Sequence, residues 1–275
     1  MTRLFLKQQN KNIAAIAALA LILVSTPTMA ETPEEKGYEI AARSDRTDRG
    51  FGNQEVRSTM ILRNGQGQES TRELFQRTLE IADESAGDKS IIVFESPADV
   101  EGTAMLSHAQ ILEPDDQWLF LPALKRVKRI SSKNKSGPFL GSEFAFEDFT
   151  SQELGKYEYK YLRSETCPNA SAFTCDVVER TPKYEYSGYT KQISWIDQKD
   201  YQVRQIDFYD RKNEHMKTLT FENYKKYNGK YWRFHKLKMV NHQKGKSTDF
   251  IFDEYKFGMD LSDNDFEKGV LERVR

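Results

Sequence analysis

Hydrophobic and polar positions alternate with a period of two over much of the chain, beginning with Val56, Ser58, Met60 and Leu62 on one face of a segment. Such alternation marks a strand whose two faces meet different surroundings. It recurs at 73–81, 91–94, 103–112, 117–121, 156–162 and 176–180, and again at 190–197, 201–209, 216–221, 231–240 and 247–255. Together these segments predict about ten or eleven strands. Short turns such as Asn228-Gly229 and Lys244-Gly245 join them and crossover helices are missing, so the sheet is expected to be antiparallel and meander-like.

Helical signals are few. Thr32-Pro33-Glu34-Glu35 is a capping box with Pro at the first helical position, ahead of Tyr38, Ala41 and Ala42. Ser262 and Asp265 are placed to cap a closing helix whose Phe266, Val270 and Val274 recur every four residues. A third, shorter helix is expected over 147–154. The fold class that follows is α+β: one large antiparallel sheet with a few helices.

The strand faces are unusually aromatic. Trp118 and Phe120 share a face, and the same pairing recurs as Ile193 with Trp195, Ile206 with Phe208, Leu219 with Phe221, and Phe250 with Phe252. Each pair alone is ordinary core material. Three modest helices cover ten strands poorly, however, so part of this surface is expected to line an apolar cavity. Tyr157, Tyr159 and Tyr161 form a further stripe, read as cross-strand aromatic packing.

Export changes the picture next. Arg3, Lys7 and Lys11 precede an apolar run at 13–24, and Thr28-Met29-Ala30 approximates a small-residue cleavage pattern. The run is shorter than the roughly 20 residues a membrane-spanning helix needs. Residues 1–30 are therefore expected to be a cleaved signal peptide and 31–275 a single exported domain. The full chain carries 41 Lys and Arg against 42 Asp and Glu, and the leader removes three bases and no acid. The remainder is mildly acidic, which gives no reason to expect nucleic acid as a partner. In an exported chain, Cys167 and Cys175 are expected to form a disulfide closing the turn-rich loop between them.

Catalytic constellations are poor. The four histidines, His108, His215, His235 and His242, lack metal-ligand spacing, and no Gly-x-Ser-x-Gly elbow occurs. Gly245-Lys246-Ser247 resembles the end of a phosphate loop, but Val240 stands where the earlier Gly is required. Turn chemistry accounts for Glu113, Asp115 and Asp116 beside Pro114. No catalytic residue, metal or cofactor is assigned, and the chain is not read as an enzyme.

The segment 118–149 concentrates the remaining chemistry. An apolar strand runs into Lys125, Arg126, Lys128, Arg129, Lys133 and Lys135, with no acid between Asp116 and Glu143, and then into a loop bearing Phe139, Phe144 and Phe146. The basic residues suit either a sheet edge protected from strand addition or contact with lipid headgroups or an acidic partner. Phe139, Phe144 and Phe146 are the expected mobile flap at a cavity mouth.

The stretch Phe120-Leu121-Pro122-Ala123-Leu124-Lys125-Arg126-Val127-Lys128-Arg129-Ile130, continued by Phe139-Leu140-Gly141-Ser142-Glu143-Phe144 and Glu147-Asp148, resembles the outer-membrane lipoprotein-sorting protein family, relatives of LolA. The resemblance implies a LolA/LolB-like unclosed β-barrel with helices plugging its concave face. It also implies an apolar cavity that carries acyl chains of lipoproteins or lipids across the Gram-negative periplasm toward the outer membrane. Expected ligand-binding residues are Trp118, Phe120, Phe139, Phe144, Phe146, Trp195, Phe208, Leu219, Phe221, Phe250 and Phe252, with Lys125, Arg126, Lys128 and Arg129 meeting a headgroup or partner. The branch resembled is associated with RND-type exporters. An inner-membrane exporter or an outer-membrane acceptor is thus an expected partner of a monomeric carrier. The alternative is an accessory subunit of such an exporter that binds no small ligand.

Overall fold

The structure, a computed structural model, describes residues 30–83, 86–150 and 153–273. The expected signal peptide lies outside the described residues, apart from Ala30. One α-helix, α1 (Pro33–Asp48), opens the fold. Thr32 Oγ accepts from the Glu35 backbone N–H while the Glu35 carboxylate accepts from the Thr32 N–H, so the capping box closes as its spacing predicts.

Sixteen strands follow among the described residues. They are β1 (Asn53–Arg63), β2 (Glu69–Leu79), β3 (Lys89–Ser96), β4 (Ala104–His108), β5 (Asp116–Leu121) and β6 (Arg126–Ile130), then β7 (Tyr157–Thr166), β8 (Thr174–Pro182), β9 (Lys191–Asp197), β10 (Val203–Tyr209) and β11 (His215–Glu222). The last five are β12 (Lys225–Tyr227), β13 (Tyr231–Arg233), β14 (Lys236–Asn241), β15 (Lys246–Phe252) and β16 (Lys256–Phe257). All but two belong to one sheet ordered β6-β5-β4-β3-β2-β1-β15-β14-β11-β10-β9-β8-β7, with β16 beside β1. Every pairing is antiparallel, and because β6 and β7 remain separate edges the sheet does not close into a barrel. The strands outnumber the expectation partly because the segment 231–240 breaks into β13 and β14, and partly because β6 joins the sheet.

One face of the sheet carries the main core. Met60, Leu74, Ile92, Phe94, Met105 and Leu119 meet Ile206, Phe208, Leu219, Met239 and Phe250 there. We call this the inner face, since α1 and the loop 137–149 pack on it. Helix α1 lies directly on β7: a Cβ added to Gly37 would sit 2.6 Å from the Tyr161 backbone nitrogen, so only glycine permits this approach. Ile40 then reaches Tyr157, Tyr159, Val178 and Ile196, and the tyrosine stripe is packing beneath the helix.

Among the described residues the other two expected helices are short 3-10 turns; Val274, the last of the closing stripe, lies outside the described residues. At the start of the first, Asp263–Phe266, the Asp265 carboxylate accepts from the Ser262 N–H and hydroxyl, but Glu267 turns extended at φ −82° and ψ 152° and ends it, and Lys268–Val270 forms a second turn. Phe266 and Leu271 are nevertheless fully buried, against Phe75, Ile91, Leu106 and Trp118 on the outer face. The expected helix at 147–154 is likewise replaced by Phe146–Phe149 and, separately, Leu154–Lys156. A single α-helix thus accompanies the sheet among the described residues. Cys167 and Cys175 are disulfide-bonded at the end of the β7–β8 hairpin, with Cα atoms 4.9 Å apart.

Candidate functional site

Between the inner face, α1 and residues 144–150 and 153–154 lies a cavity of about 560 Å³. This is the size range of small-molecule sites, about 300–1,000 Å³. Strands β10, β11 and β15 each present an in-phase pair to it: Ile206 and Phe208, Leu219 and Phe221, Phe250 and Phe252. Phe144 and Phe149 face it from the loop. The period-two spacing of each pair puts both side chains on the same side of the sheet, and pairing of β11 to β10 and β15 to β14 carries the wall across neighbouring strands.

The remaining lining mixes further apolar side chains, Val56, Val178, Ile196, Phe234 and Leu237 among them, with polar ones. Arg180, Gln192 and Ser194 contribute from β8 and β9, Gln76 and Thr78 from β2, and a charged group gathers at the C-terminus of α1. There Asp48 pairs with the Arg233 guanidinium, and the Glu80 carboxylate accepts from the backbone N–H groups of Gly50 and Gly52 at 2.6 and 2.7 Å. Desolvation by the surrounding protein raises Asp48 above the usual carboxylate range against the opposing pull of Arg233, although its side chain keeps 55% of its surface exposed. Burial likewise pushes Asp88 up to about 6; the Ile81 N–H that its carboxylate accepts opposes the rise, and the charges of Glu80 and Glu153 add to it. The cavity is therefore amphipathic, with an aromatic wall on one side of its composition and a partly acidic one on the other.

The loop 137–149 is held from many sides. Phe139 has no exposed surface and packs its ring 4.4 Å from Phe149 and 5.8 Å from Phe94. Asp148 accepts from the Ala145 N–H and Tyr189 O–H, both at 2.7 Å, and from the Lys217 ammonium at 2.8 Å. Glu147 accepts from the Gly188 N–H at 2.8 Å and the Ser187 hydroxyl at 2.9 Å, and burial raises its pKa, with the neighbouring Asp148 adding to the rise. Arg72 donates to the Leu140 carbonyl at 2.6 Å.

A family model whose description reads "-like: Uncharacterized protein" matches residues 86–273. A crystal structure of a candidate outer membrane lipoprotein-sorting protein domain from Vibrio parahaemolyticus is 48% identical, covers 87% of this chain and 100% of its own, and superposes with a TM-score of 0.83. This chain belongs to the outer-membrane lipoprotein-sorting protein family. A DUF1329 family protein from Desulfovibrio piger is 28% identical over 87% of this chain and 99% of its own, with a TM-score of 0.81. A LolA superfamily protein from Nitrosomonas europaea, 22% identical over 85% and 98% of the two chains with a TM-score of 0.67, shares the fold. No curated protein matches the chain.

Set against the residues expected of this family's cavity, the structure divides them. Phe144, Phe208, Leu219, Phe221, Phe250 and Phe252 line it. Trp118 and Phe120 do not: they face outward, Trp118 buried beneath Phe266 and Leu271, because the odd and even residues of β5 point to opposite faces and Leu119 takes the inner one. Trp195 also faces outward, packing with Val177 and the disulfide and donating its indole N–H to Glu165 at 2.7 Å. Phe139 and Phe146 lie in the core beneath the loop rather than on the cavity surface. The mobile flap expected of Phe139, Phe144 and Phe146 is overturned by the same burial and by the bonds to Lys217 and Gly188: the loop is a fixed plug.

The basic run divides as well. Lys125, Arg126 and Lys128 are exposed. Arg129 is ion-paired with Asp116, and Lys135 is buried, donating to the Asp115 carbonyl, so neither belongs to a free cationic surface. Sequence reasoning did not single out Phe149, Arg180, Gln192 or the Asp48–Arg233 pair. Arg180 and Gln192 were accessible only by phase, since they alternate in step with Val178 and Ile196.

Proposed function

We propose that the protein is a periplasmic carrier that holds acyl chains of lipoproteins or lipids in this cavity and moves them toward the outer membrane. The observation that carries the reading is the cavity's aromatic wall, in which three strands present Phe208, Leu219, Phe221, Phe250 and Phe252 to one space. Covering about 200–300 Å² of acyl surface there would contribute roughly 5–7 kcal/mol. Ordering costs reduce this, leaving binding tight enough for capture and weak enough for release. The polar groups around α1 suit the end of the cargo that is not hydrocarbon. Binding and release require no covalent chemistry. Partners implied by the reading are a donor at the inner membrane, such as an RND-type exporter, and an outer-membrane acceptor.

Mass spectrometry of a solvent extract of the purified protein, together with titration by a fluorescent fatty acid, tests the proposal. Co-purified lipid and saturable uptake are expected. Replacing Leu219 by Trp fills the cavity and should weaken uptake at least about tenfold, equivalent to ~1.4 kcal/mol. Lipid-free protein that also takes up no fatty acid would overturn the reading.

A further inference from the structure

The connection between β5 and β6 is a tight projecting hairpin. Leu121 pairs with Arg126, and a 3-10 turn over Pro122–Leu124 ends at Lys125, whose left-handed φ of 46° reverses the chain. Ala123, Leu124, Lys125 and Arg126 are all exposed at this tip, and Leu124 keeps 67% of its surface accessible. An exposed leucine at a hairpin tip contributes nothing to the core. Lys128 follows on the same strand, also exposed, and β6 is the last strand of the sheet, bonded on one side only.

The charges around the tip are favourable for an anionic surface. Among the described residues no ion pair is formed by Lys125, Arg126 or Lys128, whereas Arg129, further along β6, is neutralised by Asp116. The neighbouring β3–β4 turn, whose sequence includes Asp99 and Glu101, approaches through Gly102, where an added Cβ would lie 3.3 Å from Pro122. Neither acid is ion-paired to the tip cations among the described residues. An apolar side chain set among unpaired cations is the pattern that inserts at a bilayer interface while binding lipid phosphates. An acidic protein surface would satisfy the cations but not Leu124.

We propose that the β5–β6 hairpin tip, Leu124 flanked by Lys125, Arg126 and Lys128, is where this protein docks on an anionic lipid bilayer. The contact is peripheral and reversible, since one leucine and three cations hold a protein at a surface without anchoring it. It is independent of what the cavity binds.

Co-sedimentation with vesicles of phosphatidylcholine alone, and with about one-third phosphatidylglycerol, tests this. The full chain without its leader should bind the anionic vesicles preferentially, and high salt should weaken the binding. The variant K125S/R126S/K128S should lose about a hundredfold, at about fivefold per charge. Leu124→Ser should lose about tenfold through the apolar contact alone. Because these side chains are exposed, the variants should keep the wild-type circular dichroism and thermal midpoint, which separates lost docking from lost folding. Equal binding to neutral and anionic vesicles, no vesicle binding at all, or variants that bind like the wild type would each overturn the proposal. Absent vesicle binding, with tip variants that instead lose capture of an acidic protein, would also overturn it and assign the tip to protein docking.

Discussion

The Lys217–Asp148 pair offers the sharpest test of how the plug is held. The Lys217 side chain is only 3% exposed and that of Asp148 only 6%. The ammonium donates to Asp148 and, at 3.0 Å, to the Glu143 carbonyl, while lying over the rings of Tyr189 and Phe208. Replacing Lys217 by Met keeps most of the aliphatic stem but leaves the Asp148 carboxylate buried without its counter-ion. Removing one partner of such a pair costs about 3–5 kcal/mol, a large part of the ~5–15 kcal/mol that stabilises a typical domain. Asp148→Asn strands the ammonium instead and should also be costly. The double variant K217M/D148N should recover most of the loss, because the Asn oxygen can keep the Ala145 N–H while its NH2 faces the Tyr189 hydroxyl, which can accept, and the buried pair leaves no lone charge behind. Urea denaturation at neutral pH, followed by far-ultraviolet circular dichroism, measures all three. A loss below about 1 kcal/mol for Lys217→Met, or a double variant whose loss equals the sum of the singles, would refute the reasoning.

Two further outcomes concern Gly37 on α1 and the Asp88 carboxyl. Gly37→Ala should destabilise by about 1–3 kcal/mol, since its methyl group meets the β7 backbone at Tyr161 and neither element can yield freely; an unchanged denaturation midpoint would show that the helix is not seated on β7. Asp88, with its carboxyl pushed up to about 6, binds a proton in the folded state at pH values where the unfolded chain, near about 4, has lost it. Stability should therefore fall as pH rises between these values, and Asp88→Asn, which retains an oxygen for the Ile81 N–H, should flatten that part of the profile; an identical pH dependence in the variant would exclude Asp88 as its source.

Local chemistry was legible wherever it acts over a few residues. The Thr32 and Glu35 capping box, the Asn228-Gly229 turn with φ of 51° and 66°, and the alternation of β1, β10, β11 and β15 all depend on near neighbours in the chain. So does the disulfide, whose cysteines flank one hairpin turn. The C-terminal segment misled because recurrence every four residues describes any segment anchored at those points. Phe266 and Leu271 are held by the outer face of the sheet, not by a continuous helix.

What the sequence determined by itself is an antiparallel sheet with apolar pairs on many strands, one capped helix, and a basic run beside a Phe-rich loop. Only the tertiary structure decided which apolar pairs face each other. Period two assigns residues of one strand to a common side, yet it carries no sign relating one strand to the next. Trp118 and Phe120 thus look the same as Phe250 and Phe252 until the C-terminal segment covers one face and α1 the other. The fate of the Phe loop and of the basic run was hidden for the same reason. Lys217 lies 69 residues from the Asp148 it holds, and spacing along the chain does not encode a bond that folding alone brings into range.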